Sequence, residues 1–113
     1  MFQIHKGGDD NTTILTLTGR FNIQARKSFQ MAIQEVQSCG VRHLTLDLSQ
    51  VTFIDSSAIG VLILAHRELA KTYTKLSLIA SPGVVWETLQ MVNIGDLIPI
   101  RTAGQAMTAS VLT

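Results

Sequence analysis

Residues 43–64 read HLTLDLSQVTFIDSSAIGVLIL, and the change of rhythm in the middle decides the fold. Leu44, Leu46 and Leu48 alternate with Thr45 and Asp47, the period of two expected of a strand with one apolar face. VTFID (51–55) continues in extended form. From about Ser57 to Tyr73 the apolar residues recur at helical spacing instead. A strand running directly into a helix is the unit from which parallel sheets are built. Three polar side chains, Asp55, Ser56 and Ser57, sit at the joint between two apolar runs. Buried polar groups cost stability unless paired, so the joint needs a reason. The residues either cap the helix or present a hydroxyl for modification, and one role does not exclude the other.

Working outward, the same rhythms recur. MFQIH is a short strand closed by the turn-rich KGGDDN, and TTILTLTG (12–19) is a second strand that forms a hairpin with it. Ala25, Phe29, Ile33 and Val36 mark one face of an amphipathic helix that Gly40 is placed to end. KLSLIA (75–80) is a further strand. Ser81 followed by Pro82 signals the start of a helix carrying Val85, Leu89 and Val92 on one face. LIPI (97–100) reads as a short last strand and GQAMTASVLT (104–113) as a weak helix. The chain is therefore expected to be one α/β domain over 1–113, with a mixed, mainly parallel sheet and about four α-helices.

The totals narrow the functional classes. The 113 residues suit one domain, 46% are hydrophobic, only 15% are charged, and the formal net charge is +1. So few charges leave apolar surface for a partner, or describe a sheet covered on one face. The basic residues are scattered without aromatic interleaving, which gives no support to nucleic-acid binding. The opening MFQIHKGGDD lacks the apolar core of a signal peptide, and no apolar run reaches the ~18 residues of a membrane span. Cys39 has no internal partner, which agrees with a reducing cytoplasm. It reads as a buried or half-buried apolar residue at the end of the first helix, and Trp86 as packing at the rim of the core. Asp96 and Arg101 flank the last strand.

On the helix after the serines, winding from Ile59 places Ile59, Leu62, Ile63, His66, Leu69, Ala70 and Tyr73 against the sheet. Val61 and Leu64 then point outward. They are either ordinary surface hydrophobes or a docking patch beside Ser56 and Ser57. His66, His5 and His43 lack a second ligand at helical spacing and carry no metal or acid–base assignment. A serine hydrolase would need a G-x-S-x-G turn and a positioned histidine; Ser56 follows Ile54 and Asp55, and Ala58 stands two places on. No phosphate-cradling G-x-x-x-x-G-K loop is present either. Accepting a phosphate asks for less, because the kinase brings nucleotide, metal and base. A helix N-terminus tolerates the added anion through its dipole and N–H groups.

VTFIDSSAIGVLILAHREL (51–69) resembles the signature of the STAS domain family, the bacterial anti-sigma factor antagonists, in which a D-S-[ST]-G-[LI]-G segment joins a central strand to a helix. ILTLTGRFNIQA resembles the family's second strand and G-[ER]-[LF]-[DN] turn, LTLDLSQVTFID its central strand, and SPGVVWETLQMVNIGDLIPI its later helix and final strand. The resemblance implies a switch that binds an anti-sigma factor, itself a serine kinase, when unphosphorylated, and so frees a sigma factor for transcription. It implies phosphorylation at Ser56 beside Asp55, reset by a PP2C-type phosphatase, with no cofactor. Asn22 stands where many members carry aspartate, and Ala58 replaces the usual glycine of D-S-S-G. The expected site is thus Ser56, flanked by Asp55, Ser57 and Asn22, with Ala58, Val61 and Leu64 meeting the partner. STAS domains also accompany lipid-transport ATPases and anion transporters, or build stress-sensing scaffolds, and there Ser56 would serve only as a cap.

Overall fold

The computed structural model describes residues 2–9 and 11–103. β1 (Gln3–Gly8) and β2 (Thr12–Phe21) form an antiparallel hairpin, followed by a 3-10 turn at Ile23–Ala25 and helix α1 (Arg26–Ser38). β3 (His43–Ile54) leads into α2 (Ser56–Lys71), β4 (Lys75–Ala80) into α3 (Val84–Met91), and β5 (Ile100–Thr102) comes last. At the hairpin, Gly8 has φ +101°, and a Cβ there would collide with the Thr12 carbonyl oxygen, so only glycine fits.

The strands lie in chain order, with β2 to β5 parallel and β1 antiparallel at the edge. Each crossover steps one strand in the same direction, and right-handed crossovers then put all three helices on one face. The alternation read from the sequence matches this: Leu15, Leu17, Leu44, Leu46, Leu48, Leu76 and Leu78 are buried, while Thr16, Thr45, Asp47 and Ser77 between them are half-buried. Phe21 and Phe29, with ring centroids 5.1 Å apart, couple the end of β2 to α1.

One irregularity serves the site. The β2–β3 register shifts twice, between Thr16 and Thr18 and between Gly19 and Arg20, so β3 uses more residues than β2 to cover the same span. The first shift is held by Asp47, whose carboxylate accepts from the Ser49 N–H at 2.9 Å. Bulges of this kind re-aim strands near functional sites. Here they bring the two strands to a common finish, with Phe21 opposite Ile54.

Three α-helices lie among the described residues, and the fourth expected helix falls in 104–113, outside them. Several other expectations need correction. The last strand is displaced from 97–100 to Ile100–Thr102, behind a 3-10 turn at Ile94–Asp96, so Arg101 lies within it. Pro99 has no N–H for the ladder; its carbonyl accepts from Leu78 N at 2.8 Å, and pairing starts there. Ser81 does not cap α3: its Oγ donates to the Ser49 carbonyl at 3.3 Å, and Gly83, with φ +134°, occupies the cap position. Val92 lies past the end of α3 and is exposed. Cys39 is exposed, because it caps α1 beyond the last core position, Val36. Ala70 and Tyr73 are exposed too: the chain leaves the helix at Thr72, and Tyr73 takes the left-handed conformation (φ 61°) and is 89% accessible.

Candidate functional site

Because β2 and β3 end in register, the next residue of each strand, Asn22 and Asp55, emerges beside the other at the edge where the helices begin. Both are extended, with φ −130° and −121°. Each caps the helical turn after it. Asn22 Oδ1 accepts from the Gln24 N–H at 3.0 Å, and Asp55 Oδ1 accepts from the Ala58 N–H at 3.0 Å. These bonds satisfy helix-start donors that would otherwise lack partners. Asp55, not Ser56, is thus the cap of α2. One residue before the end of each strand, the Arg20 guanidinium lies 4.4 Å from the Phe53 ring centroid, so a cation stacks beside the same edge.

The two serines differ. Ser57 is half-buried and its Oγ donates to Asp55 Oδ1 at 2.7 Å. Ser56 is exposed at the first position of the helix, and its Oγ is bonded to no described residue. The Asp55 pKa is held below the ordinary carboxylate value, first by the Ser57 hydroxyl and then by the Ala58 N–H. At neutral pH the junction therefore carries a fixed anion turned into the helix start and an adjacent hydroxyl open to solvent.

The expected docking face is only partly outward. Ala58 is fully buried and Val61 is 6% accessible, whereas Leu64 is 42% accessible. The reason is α1, which packs along the flank of α2 and is tied to it by Gln37 Nε2 donating to the Glu68 carbonyl at 2.8 Å. A helix apolar almost all round is covered on two sides, by sheet and by neighbour. Val61 lines the floor of an open groove of about 340 Å³ between the two helices, with Phe29 and Ile33, while Leu64 lies on the same groove. Two exposed hydrophobes near the junction escaped the sequence reading: Ile23, directly after Asn22, and Val84, beside Val51 and Thr52, are 64% and 67% accessible. Their signal was an apolar residue inside turn-forming sequence, FNIQ and SPGV. His66 is half-buried on α2, His5 and His43 are exposed on their strands, and Trp86 packs partly buried against the core as expected.

The profile of the STAS domain family matches residues 3–106. The chain belongs to the STAS domain family. Solved structures carry the same fold. An anti-sigma factor antagonist from Mycobacterium paratuberculosis superposes with a TM-score of 0.82 at 19% identity, over 96% of this chain and 93% of that one. The Bacillus cell fate determinant SpoIIAA in its phosphorylated form gives 0.67 at 20% identity, over 97% and 99%. The STAS domain of a SulP transporter from Vibrio cholerae gives 0.66 at 20% identity, over 94% and 84%. No curated protein matches the sequence. Among the described residues, no helix of this STAS domain is long and apolar enough to cross a membrane.

Proposed function

We propose that this chain, as a single STAS domain over 1–113, is a cytoplasmic bacterial anti-sigma factor antagonist switched by phosphorylation of Ser56. The observation that carries the reading is the exposed Ser56 at the start of α2, its hydroxyl bonded to no described residue, beside a carboxylate already committed as the cap. In this reading the protein is a binding module, not an enzyme. Unphosphorylated, it occupies an anti-sigma factor that is also a serine kinase, and so releases a sigma factor for transcription. Phosphate adds about −1.5 to −2 charges at Ser56. A partner seated over that spot, against Leu64 and the exposed Ile23 and Val84, then has to bury an uncompensated dianion. A loss of ~3 kcal/mol weakens binding more than a hundredfold, enough for an on/off response without a change of fold. A PP2C-type phosphatase resets the serine. Asn22 lowers the negative charge at the edge by one relative to an aspartate, and Ala58, being buried, keeps its methyl out of the partner's way.

The fold shared with a transporter STAS domain favours one second reading, an accessory subunit that holds its partner without regulated phosphorylation. Capture of partners from the source organism's soluble extract, with wild type, Ser56→Ala and Ser56→Asp side by side, separates the two. The switch predicts that a kinase of the ATP-binding anti-sigma type is retained by wild type and Ser56→Ala and lost by Ser56→Asp. Equal retention by all three proteins refutes the switch and leaves the accessory role.

A further inference from the structure

Two adjacent serines stand at the junction, and nothing in their chemistry makes one the better acceptor. Their surroundings do. We propose that Asp55 selects Ser56 over Ser57 by holding the Ser57 hydroxyl and setting a fixed negative charge against its oxygen; this deepens the phosphorylation reading above and rests on it. In the transfer, the serine Oγ attacks the γ-phosphorus of ATP. An Oγ–P bond forms, the bond from that phosphorus to the bridging oxygen breaks, ADP leaves, and the hydroxyl proton passes to the kinase's base. The acceptor must therefore direct its lone pair at an anion and its proton at the enzyme.

Ser57 does not have its proton free for the enzyme. Its proton points at Asp55 Oδ1, 2.7 Å away. The same oxygen accepts from the Ala58 N–H at 3.0 Å, so it cannot swing aside without uncapping α2. Breaking a charge-assisted hydrogen bond makes the free hydroxyl rarer by roughly ten- to a hundredfold. A γ-phosphoryl group arriving at Ser57 would also approach an oxygen that lies 2.7 Å from the Asp55 carboxylate. Ser56 is exposed, its hydroxyl makes no such bond with a described residue, and its neighbour's carboxylate is engaged in the cap. Asp55 is thus a positioning residue: it acts by restraining the competing hydroxyl.

The test measures where phosphate goes. Wild type, Asp55→Gly and Asp55→Asn are each incubated with ATP and the source organism's soluble extract, and the phosphorylated sites are quantified by mass spectrometry. Ser56→Ala and Ser57→Ala calibrate the peptide assignment, and far-UV circular dichroism confirms that each variant is folded. Glycine is itself a tolerated N-cap, so Asp55→Gly keeps the helix start while releasing Ser57. Asparagine keeps the acceptor without the charge. The proposal predicts phosphate on Ser56 over Ser57 by at least about tenfold in the wild type. It predicts a fall of at least about tenfold in that ratio for Asp55→Gly, with phosphate emerging on Ser57, and a ratio closer to wild type for Asp55→Asn. An unchanged ratio in Asp55→Gly overturns the selection alone and leaves the switch intact. Loss of all label in Asp55→Gly makes Asp55 a kinase contact and overturns the selection as well. No phosphate on either serine of the wild type overturns the phosphorylation reading and this inference with it.

Discussion

Replacing Asp55 with alanine removes one oxygen that serves two donors, the Ala58 N–H at 3.0 Å and the Ser57 hydroxyl at 2.7 Å. Loss of a side-chain N-cap costs ~1 kcal/mol. The charge-assisted bond from the Ser57 hydroxyl adds ~1.5 kcal/mol, the low end of the range for such bonds because that hydroxyl is half-buried and finds water when freed. The carboxylate's attraction to the helix dipole adds at most a few tenths of a kcal/mol once discounted for solvent screening. The total is about 2.5 to 3 kcal/mol at neutral pH, a fall in melting temperature of roughly 10–15 °C for a domain of this size. The sign of the pH dependence comes from the Asp55 pKa, which the Ser57 hydroxyl and then the Ala58 N–H hold below its unfolded value. A depressed carboxylate contributes stability that is complete above the unfolded pKa, ~3.9, and lost as pH falls through the folded pKa. The gap between wild type and Asp55→Ala is therefore flat at neutral pH and narrows below about pH 4. Asp9, whose pKa is also lowered by the Thr12 and Asn11 N–H groups, titrates in both proteins and cancels. Urea unfolding followed by circular dichroism, at neutral pH and near pH 3, measures both gaps. A gap that is absent at neutral pH, or that widens in acid, refutes this account of the junction.

Val61→Ala is expected to cost about 1.5–2.5 kcal/mol, because the methyls it removes lie on the floor of the α1–α2 groove; Leu64→Ala is expected to cost under ~0.5 kcal/mol while weakening partner capture. Equal urea midpoints for the two variants would contradict the two-sided burial of α2. Tyr73→Gly should raise the unfolding free energy by about 0.5 kcal/mol, since glycine relieves the left-handed strain at that helix end and gives back part of the gain as unfolded-chain entropy. A thermal melt that shifts downward would show that the exposed tyrosine ring makes a contact of value.

Most of the fold was legible because it rests on period. Leu44, Leu46 and Leu48 against Thr45 and Asp47 announce β3, and Phe29, Ile33 and Val36 announce α1, since burial on one face writes itself into spacing. Where two partners cover one element, spacing underdetermines the answer. Val61 looked outward because the wheel was oriented on the sheet alone, and the packing of α1 is not visible in the sequence of α2. Local bonds were less readable still. Whether Ser81 caps α3 or reaches back to Ser49 depends on where β3 passes, and that depends on two bulges. The site itself divides in the same way. Its residues were evident from the D-S-S cluster, but only coordinates show that Asp55 holds Ser57 and leaves Ser56 open.

The central claim is that charge on one exposed oxygen decides occupancy by the partner. Titration calorimetry of the captured kinase with the domain, first unmodified and then carrying phosphate at Ser56 alone, measures that directly. The account predicts that affinity falls by more than about a hundredfold on modification, with the fold unchanged by circular dichroism. Undiminished affinity of the phosphorylated domain would contradict it.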